Sequence, residues 1–507
     1  MRNIISLVAF MLMAVVSVEA SPQQTLEEAT DSIKNVLALA KKGDAVAQNE
    51  VGGWYYRGRH VKQNYEEALQ WWAKSAKQGN NAAIGNMGLC YQMGRGVAAD
   101  SLKASKLYIR SIKDGNHDLL QQHIALADKG NIFSNMLVAY CWQHGIGVDK
   151  DTAKAIPYLT AAAEKGCVIA QRDLALVFLN GKNAKDAACW FKKGADNDEI
   201  SCIFYYGKLL SEGVGVPQNK KEGANYLLKA ADYGFPQAMY YVGNCYMEGT
   251  GLTKNAGQAV RWYKSAAAKG ISNAQWQLAQ CYREGKGTPV NYDRALYWYA
   301  KCNSKGHARA FRKLVCDSIP GSPFVAYLKG MRAYSKKDFD AALKQFKIVE
   351  KAKIADGKVM EAVILANTSY ARHNTKKAVK LLNEAAKANA QAIYMLGALY
   401  EGGKGVSQNM PMAVEYMSKA AEMGYGDAEC ALADMYFEGR GVDQNYEKAV
   451  SWYEKANAQG ELTENAAKRY ASCYENGWGG LEKDEEAAKS ILKGDYKINI
   501  SELLDVL

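Results

Sequence analysis

Eleven cysteines and six histidines are the residues through which this chain of 507 could bind a metal or carry out nucleophilic or redox chemistry. Their spacing predicts neither. There is no Cys-x-x-Cys and no His-Glu-x-x-His, the patterns that set metal ligands on one local face. His60, His117, His123, His144, His307 and His373 are dispersed. No Gly-x-Ser-x-Gly elbow presents a serine, and stretches such as Gly94-Arg95-Gly96 lack the downstream Lys-Ser or Lys-Thr of a phosphate loop. The sequence therefore predicts no catalytic residue, no cofactor and no metal, and the chain is read as not an enzyme.

The chemistry it does offer is recognition. Three triplets repeat the spacing i, i+3, i+7, which is one face of a helix: Tyr205, Lys208 and Glu212; Tyr241, Asn244 and Glu248; Gln277, Gln280 and Glu284. Aromatic, amide and charged groups are mixed along this stripe, as on a surface where a few aromatic anchors sit in a polar field. These nine are the candidate partner-binding residues, and the partner is a protein or peptide.

The elements that carry them follow from a glycine step. Gly43 and Gly79, Gly130 and Gly166, Gly234, Gly270 and Gly306, and Gly424 and Gly460 lie 36 residues apart within each run. Such a period belongs to stacked helical hairpins, in which neighbouring units supply one another's core. Counting from each glycine, position 4 is small (Ala47, Ala83, Ala170, Ala238, Ala274, Ala428), position 8 apolar (Val51, Val138, Leu278), position 9 Gly or Ala (Gly52, Gly88, Gly243, Ala279) and position 12 mostly aromatic (Tyr55, Tyr91, Trp142, Tyr282). This is the buried face of a first helix, A. A Gly-x-Gly turn follows, as in Gly145-Ile146-Gly147 or Gly439-Arg440-Gly441. Asn or Asp then stands ready to cap helix B: Asn64, Asp100, Asp151, Asn219, Asn255, Asn291, Asn409, Asn445. Helix B carries Ala at position 25 and large residues at 28 and 29, as in Ala68 with Trp71-Trp72 and Ala295 with Trp298-Tyr299.

The Leu-Gly-x-x-Tyr of helix A, the Gly-x-Gly-Val turn, the Asn or Asp cap and the Ala-x-x-Trp-Tyr of helix B resemble the Sel-1-like repeat family, relatives of the tetratricopeptide repeats, from about Lys41 to Lys493. The resemblance implies an all-α fold, a right-handed α/α superhelix or solenoid of stacked antiparallel helix hairpins, with helix A lining the concave side. It also implies an exported adaptor that holds its partner in that groove. A disulfide-stapled branch of the family places paired cysteines in each unit and is associated with penicillin binding and β-lactamase activity. An envelope enzyme or accessory factor acting on peptidoglycan or β-lactams is therefore the alternative reading. That pairing is absent here. Cys90, Cys141, Cys245 and Cys281 share position 11, and equivalent residues in stacked units stand about 8–10 Å apart, beyond the ~7 Å a bridge tolerates. Buried, reduced thiols are expected.

Residues 1–20 read as a signal peptide, with Arg2 before the apolar run Ile4–Val16 and Ala20 at the cut. The expected product is periplasmic or secreted, with no membrane span after signal removal. Residues 21–43 are expected to form an N-terminal capping helix. A repeat arm over 44–306 contains an extra helix at 117–129, and residues 307–388 form irregular tetratricopeptide-like hairpins. A second arm covers 389–494, with a C-terminal cap at 495–507. Net charge of +11 is spread over every unit without a like-charge block, which predicts solvated helix faces and no nucleic acid partner.

Overall fold

The computed structural model describes residues 22–302, 311, 314–315, 321–387 and 389–494. The expected leader at 1–20 and cap at 495–507 lie outside them. Among the described residues there are 26 helices and no strand, packed as consecutive antiparallel pairs. The chain divides into two compact bodies, Met1–Asn197 and Asp198–Leu507.

The unit over 81–113 shows why the repeat length is fixed. Helix A, Asn81–Met93, ends on Gly94 in the left-handed region at φ 67°, and Gly96 is left-handed as well, at φ 73°. A Cβ on Gly96 would lie 2.6 Å from the Tyr65 carbonyl carbon, so this turn seats directly on the opening of the preceding helix B. The Asp100 carboxylate then accepts from the Lys103 N–H and opens the Ser101–Lys113 helix. Asn64, Asp151, Asn219, Asn255, Asn291, Asn409 and Asn445 do the same in their units.

The small residue at position 9 makes room for the ring at position 29. A Cβ on Gly52, Gly88 or Gly243 would stand 2.6, 2.8 or 2.5 Å from the rings of Trp72, Tyr108 and Tyr263. Those rings are buried, each contributing on the order of 2 kcal/mol through apolar area removed from water.

The irregular places take defined shapes. His117–Asp128 is a single helix between Ser101–Lys113 and Ile132–His144, turning Leu120, His123 and Ala127 inward. Val168–Asn180 passes to Ala184–Asp196 through 181–183 alone, with Lys182 taking the left-handed conformation at φ 61°. Pro323–Ser335 pairs with Phe339–Lys351, and Ala355–Ala366 with Thr375–Ala385. A Cβ on Gly330 would stand 2.6 Å from the Phe346 ring, so the same small-residue device recurs there without the 36-residue step. At the start, Ile33, Val36, Leu37 and Ala40 of the Pro22–Lys42 helix pack on Val51 and Trp54.

Candidate functional site

The nine stripe residues lie on three consecutive A helices, Ile200–Glu212, Pro236–Glu248 and Ser272–Glu284. Glu212, Glu248 and Glu284 are exposed and the other six half-buried. Tyr205 and Tyr241 flank the buried ring of Phe204, edge to face, with centroids 5.1 and 5.5 Å away. Lys208 Nζ sits 5.5 Å from the Tyr241 centroid and 3.9 Å from Glu212. Burial works against the Lys208 charge, but its hydrogen bond to Tyr241 and the nearby Glu212 outweigh it, raising its pKa above the ordinary lysine value. Tyr205, Lys208, Glu212 and Tyr241 thus form one patch across two repeats.

Other members are turned to internal work. Asn244 accepts a 2.8 Å hydrogen bond from the Tyr263 hydroxyl. Gln280 accepts from Arg283 Nη2 at 2.6 Å, and Glu284 pairs with Arg283 and with Lys286 Nζ at 2.6 Å. Gln277 stays half-exposed on the same face.

The corresponding positions near the C-terminal end are knitted together. Asp434 accepts from the Tyr453 hydroxyl at 2.6 Å and from Arg469 at 2.7 Å. Glu438 bridges Arg469 and Arg440, and Arg440 reaches Glu401 of the preceding unit. Positions 10 and 14 of that unit therefore belong to an internally paired lattice of three carboxylates and two arginines.

A third cluster in the second body has no counterpart in the repeat frame. The Tyr292–Lys301 helix meets the turn at 460–461: Arg294 Nη1 lies 2.8 Å from Glu461 Oε2, with both side chains buried. The Arg294 guanidinium stacks 4.3 Å from the Tyr425 ring centre. The Tyr297 hydroxyl donates to the Gly460 carbonyl at 3.1 Å, and Lys301 Nζ donates to the same oxygen. A Cβ on Gly460 would stand 2.8 Å from Ala268 Cα, so the frame glycine is also a point of close approach. Asp356, buried, accepts from the Tyr292 N–H and, at 3.0 Å, from Asn389 Nδ2. Burial pushes its carboxyl up to about 7.

Sequence reasoning missed this cluster because its residues occupy ordinary places. Arg294 stands at position 24, where Lys103, Lys154 and Lys448 are exposed. Trp298 is fully buried, whereas its equivalents Trp71, Trp262 and Trp452 are half-buried. Glu461 is no signal either, since Asp44 and Glu199 put a carboxylate at the same place, where each caps its own A helix.

Among the described residues no group of three or more His, Cys, Asp or Glu side chains could hold a metal ion. No helix among them is long and apolar enough to cross a membrane. Cys90, Cys141, Cys245 and Cys281 are buried and unbridged.

The family model described as the Sel1 repeat matches residues 45–80, 82–116, 133–167, 168–199, 200–234, 236–271, 272–307, 369–389, 390–425, 426–461 and 465–492. The chain belongs to the Sel1 repeat family. The two longest stretches skipped between Sel1 matches, 117–132 and 308–368, contain respectively the single helix, and the first irregular hairpin with the Ala355–Ala366 helix. None of the curated proteins matches the chain. Among solved structures it is similar to c5321, a protective antigen present in uropathogenic Escherichia coli strains. The two are 23% identical over 92% of this chain and 98% of that one, at a TM-score of 0.38. It is also similar to a Sel1 repeat protein from Oxalobacter formigenes, at 26% identity over 59% and 83% of the two chains and a TM-score of 0.36. Yeast Tom70 is 16% identical over 82% and 96%, at a TM-score of 0.22.

Proposed function

We propose that this Sel1 repeat protein is a non-enzymatic, exported scaffold that holds a protein or peptide along the face of its A helices. The observation that carries the reading is the patch formed by Tyr205, Lys208, Glu212 and Tyr241 on adjacent repeats. Two half-exposed tyrosines and a lysine stand beside each other there, where a peptide can lay an apolar side chain against a ring and pair a carboxylate with the ammonium. Asn244, Glu248, Gln277, Gln280 and Glu284 extend the surface with amide and acidic groups. Export rests on the basic start and apolar run of the first twenty residues, read as a leader.

The test is affinity capture from envelope extracts on the immobilised chain, compared with Tyr205→Ala, Gln277→Ala and, as a control, Arg440→Ala. The expected result is one dominant partner, lost with Tyr205→Ala and weakened with Gln277→Ala, but kept with the control. Equal capture by all four chains overturns the assignment of the face. Nitrocefin turnover by the purified chain, abolished by a single polar substitution, overturns the non-enzymatic reading.

A further inference from the structure

In the second body four interhelical turns converge on a cavity of 480 Å³, lined among others by Lys264, Asn291, Arg294, Lys353, Asn389 and Tyr425. Ligand sites for small molecules fall in this size range. Three of its lining side chains are cationic and none is a carboxylate. Four helices begin at its wall: Tyr292–Lys301, Ala355–Ala366, Ala390–Gly402 and Gly426–Glu438, with Asn291, Ile354, Asn389 and Tyr425 as their first flanking residues. Helix N-termini carry partial positive charge and point N–H groups outward. Two of these four, at Ile354 and Tyr425, have no cap from that flanking side chain, and in the second Glu461 accepts from the Gly426 N–H.

Arg294 supplies the independent observation. It is 6% exposed, lines the cavity and commits Nη1 to Glu461, while its buried Nη2 has no hydrogen-bond partner. A buried guanidinium N–H calls for an acceptor. The nearby carboxylates are engaged elsewhere: Glu461 with Arg294 Nη1 and the Gly426 N–H, Asp356 with Tyr292 and Asn389, Asp293 with the Tyr327 hydroxyl, and Asp427 with Tyr425. We propose that this cavity binds a small organic anion, a phosphate or carboxylate group seated against Arg294 between Lys264 and Lys353. The site is separate from the A-helix stripe, so it stands or falls independently of peptide binding.

Isothermal titration of the full chain at low salt, with inorganic phosphate and with succinate, tests it. At least one should bind saturably at one site and raise the melting temperature. Preference for phosphate assigns a phosphate ligand, and preference for succinate a carboxylate. Lys264→Ala and Lys353→Gln should each weaken binding about fivefold or more, roughly the loss of one charge contact, with the ligand-free melting temperature unchanged. Arg294→Lys should weaken it further; because it also disturbs the Glu461 pair, the two lysine variants carry the decision. Absence of saturable binding by both anions, or binding indifferent to both lysine variants, overturns the proposal.

Discussion

Arg294 and Glu461, remote in sequence, form a buried ion pair with Nη1 and Oε2 2.8 Å apart. In a solenoid held only by neighbour-to-neighbour contacts such a pair would not exist. Here it is reinforced by Tyr297 and Lys301 on the Gly460 carbonyl and by contact between the Ala256–Ala268 and Tyr446–Ala458 helices. The second body therefore has a long-range lock in addition to its stacking.

Removing one member of this pair should cost far more than removing both. Glu461→Met or Arg294→Met alone leaves a buried, unanswered group and should lower stability by about 3–5 kcal/mol. Arg294→Met combined with Glu461→Met should recover much of that loss, since an apolar pair avoids the desolvation of both charges. Urea unfolding of the four chains gives the coupling energy; simple additivity of the single costs would refute it.

The two bodies should respond to acid in opposite directions. In the first, burial pushes His123 down to about 4, whereas an unfolded histidine titrates near 6.5. Between those values the unfolded chain takes up a proton that the folded chain refuses, so stability is lost as pH falls through that window. In the second, burial lifts Asp356 and Glu429 to about 7, against roughly 4 when unfolded. Their contribution is fully present below about 4 and is lost as pH rises through 7. Hydrogen exchange between pH 8 and 5 should show the His117–Asp128 helix loosening on acidification while Ala355–Ala366 and Gly426–Glu438 tighten. Movement in the same direction in both would contradict the assignment.

Two glycines of one unit separate backbone strain from steric fit. Gly79 has φ 85° and open space, with nothing within 4 Å of where a Cβ would stand, whereas Gly96 has φ 73° and faces the Tyr65–Glu66 backbone. Gly79→Ala should cost about 1–2 kcal/mol, the left-handed penalty alone. Gly96→Ala should cost clearly more, because backbone must move. Equal costs in denaturant titrations would show that the turn is not seated on the preceding helix.

Thiol labelling should follow burial. Cys189 is exposed, whereas Cys90, Cys141, Cys245, Cys281 and Cys473 are buried and pushed up to about 11 by that burial. A thiolate-directed reagent at pH 8 should modify Cys189 in the native protein and reach those five only after denaturation. Mass spectrometry that finds Cys90 labelled as fast as Cys189 would contradict the packing described.

The repeat itself was legible because each of its rules is local. The Gly-x-Gly turn, the Asn or Asp cap and the glycine beneath Tyr263 all act within one unit or its immediate neighbour. Even the single helix at 117–128 and the shortened link at 181–183 showed as losses of frame. The candidate stripe was legible as a face but not as a surface. Helical spacing places Asn244 beside Tyr241, yet only the folded chain shows Asn244 bonded to the Tyr263 hydroxyl and Tyr241 packed against Phe204. Tyr241→Ala therefore removes packing as well as recognition, and Gln277 is the cleaner probe. The Arg294 cluster was not legible at all, because periodicity describes a residue's own unit and is silent about a distant one that comes to rest on it.

The Gly460 carbonyl that receives Tyr297 and Lys301 has a consequence for how such a protein can change over generations. Repeat arrays grow and shrink by copying or losing whole modules, a step that an open stack accommodates because every junction is alike. Between residues 302 and 459 that freedom is gone. One module more or fewer there would carry Gly460 and Glu461 a full step away from their counterparts and strand Arg294 in the interior without its carboxylate. Module number in this stretch is thus set by one closing contact, in the way that ring size is in a cyclic molecule.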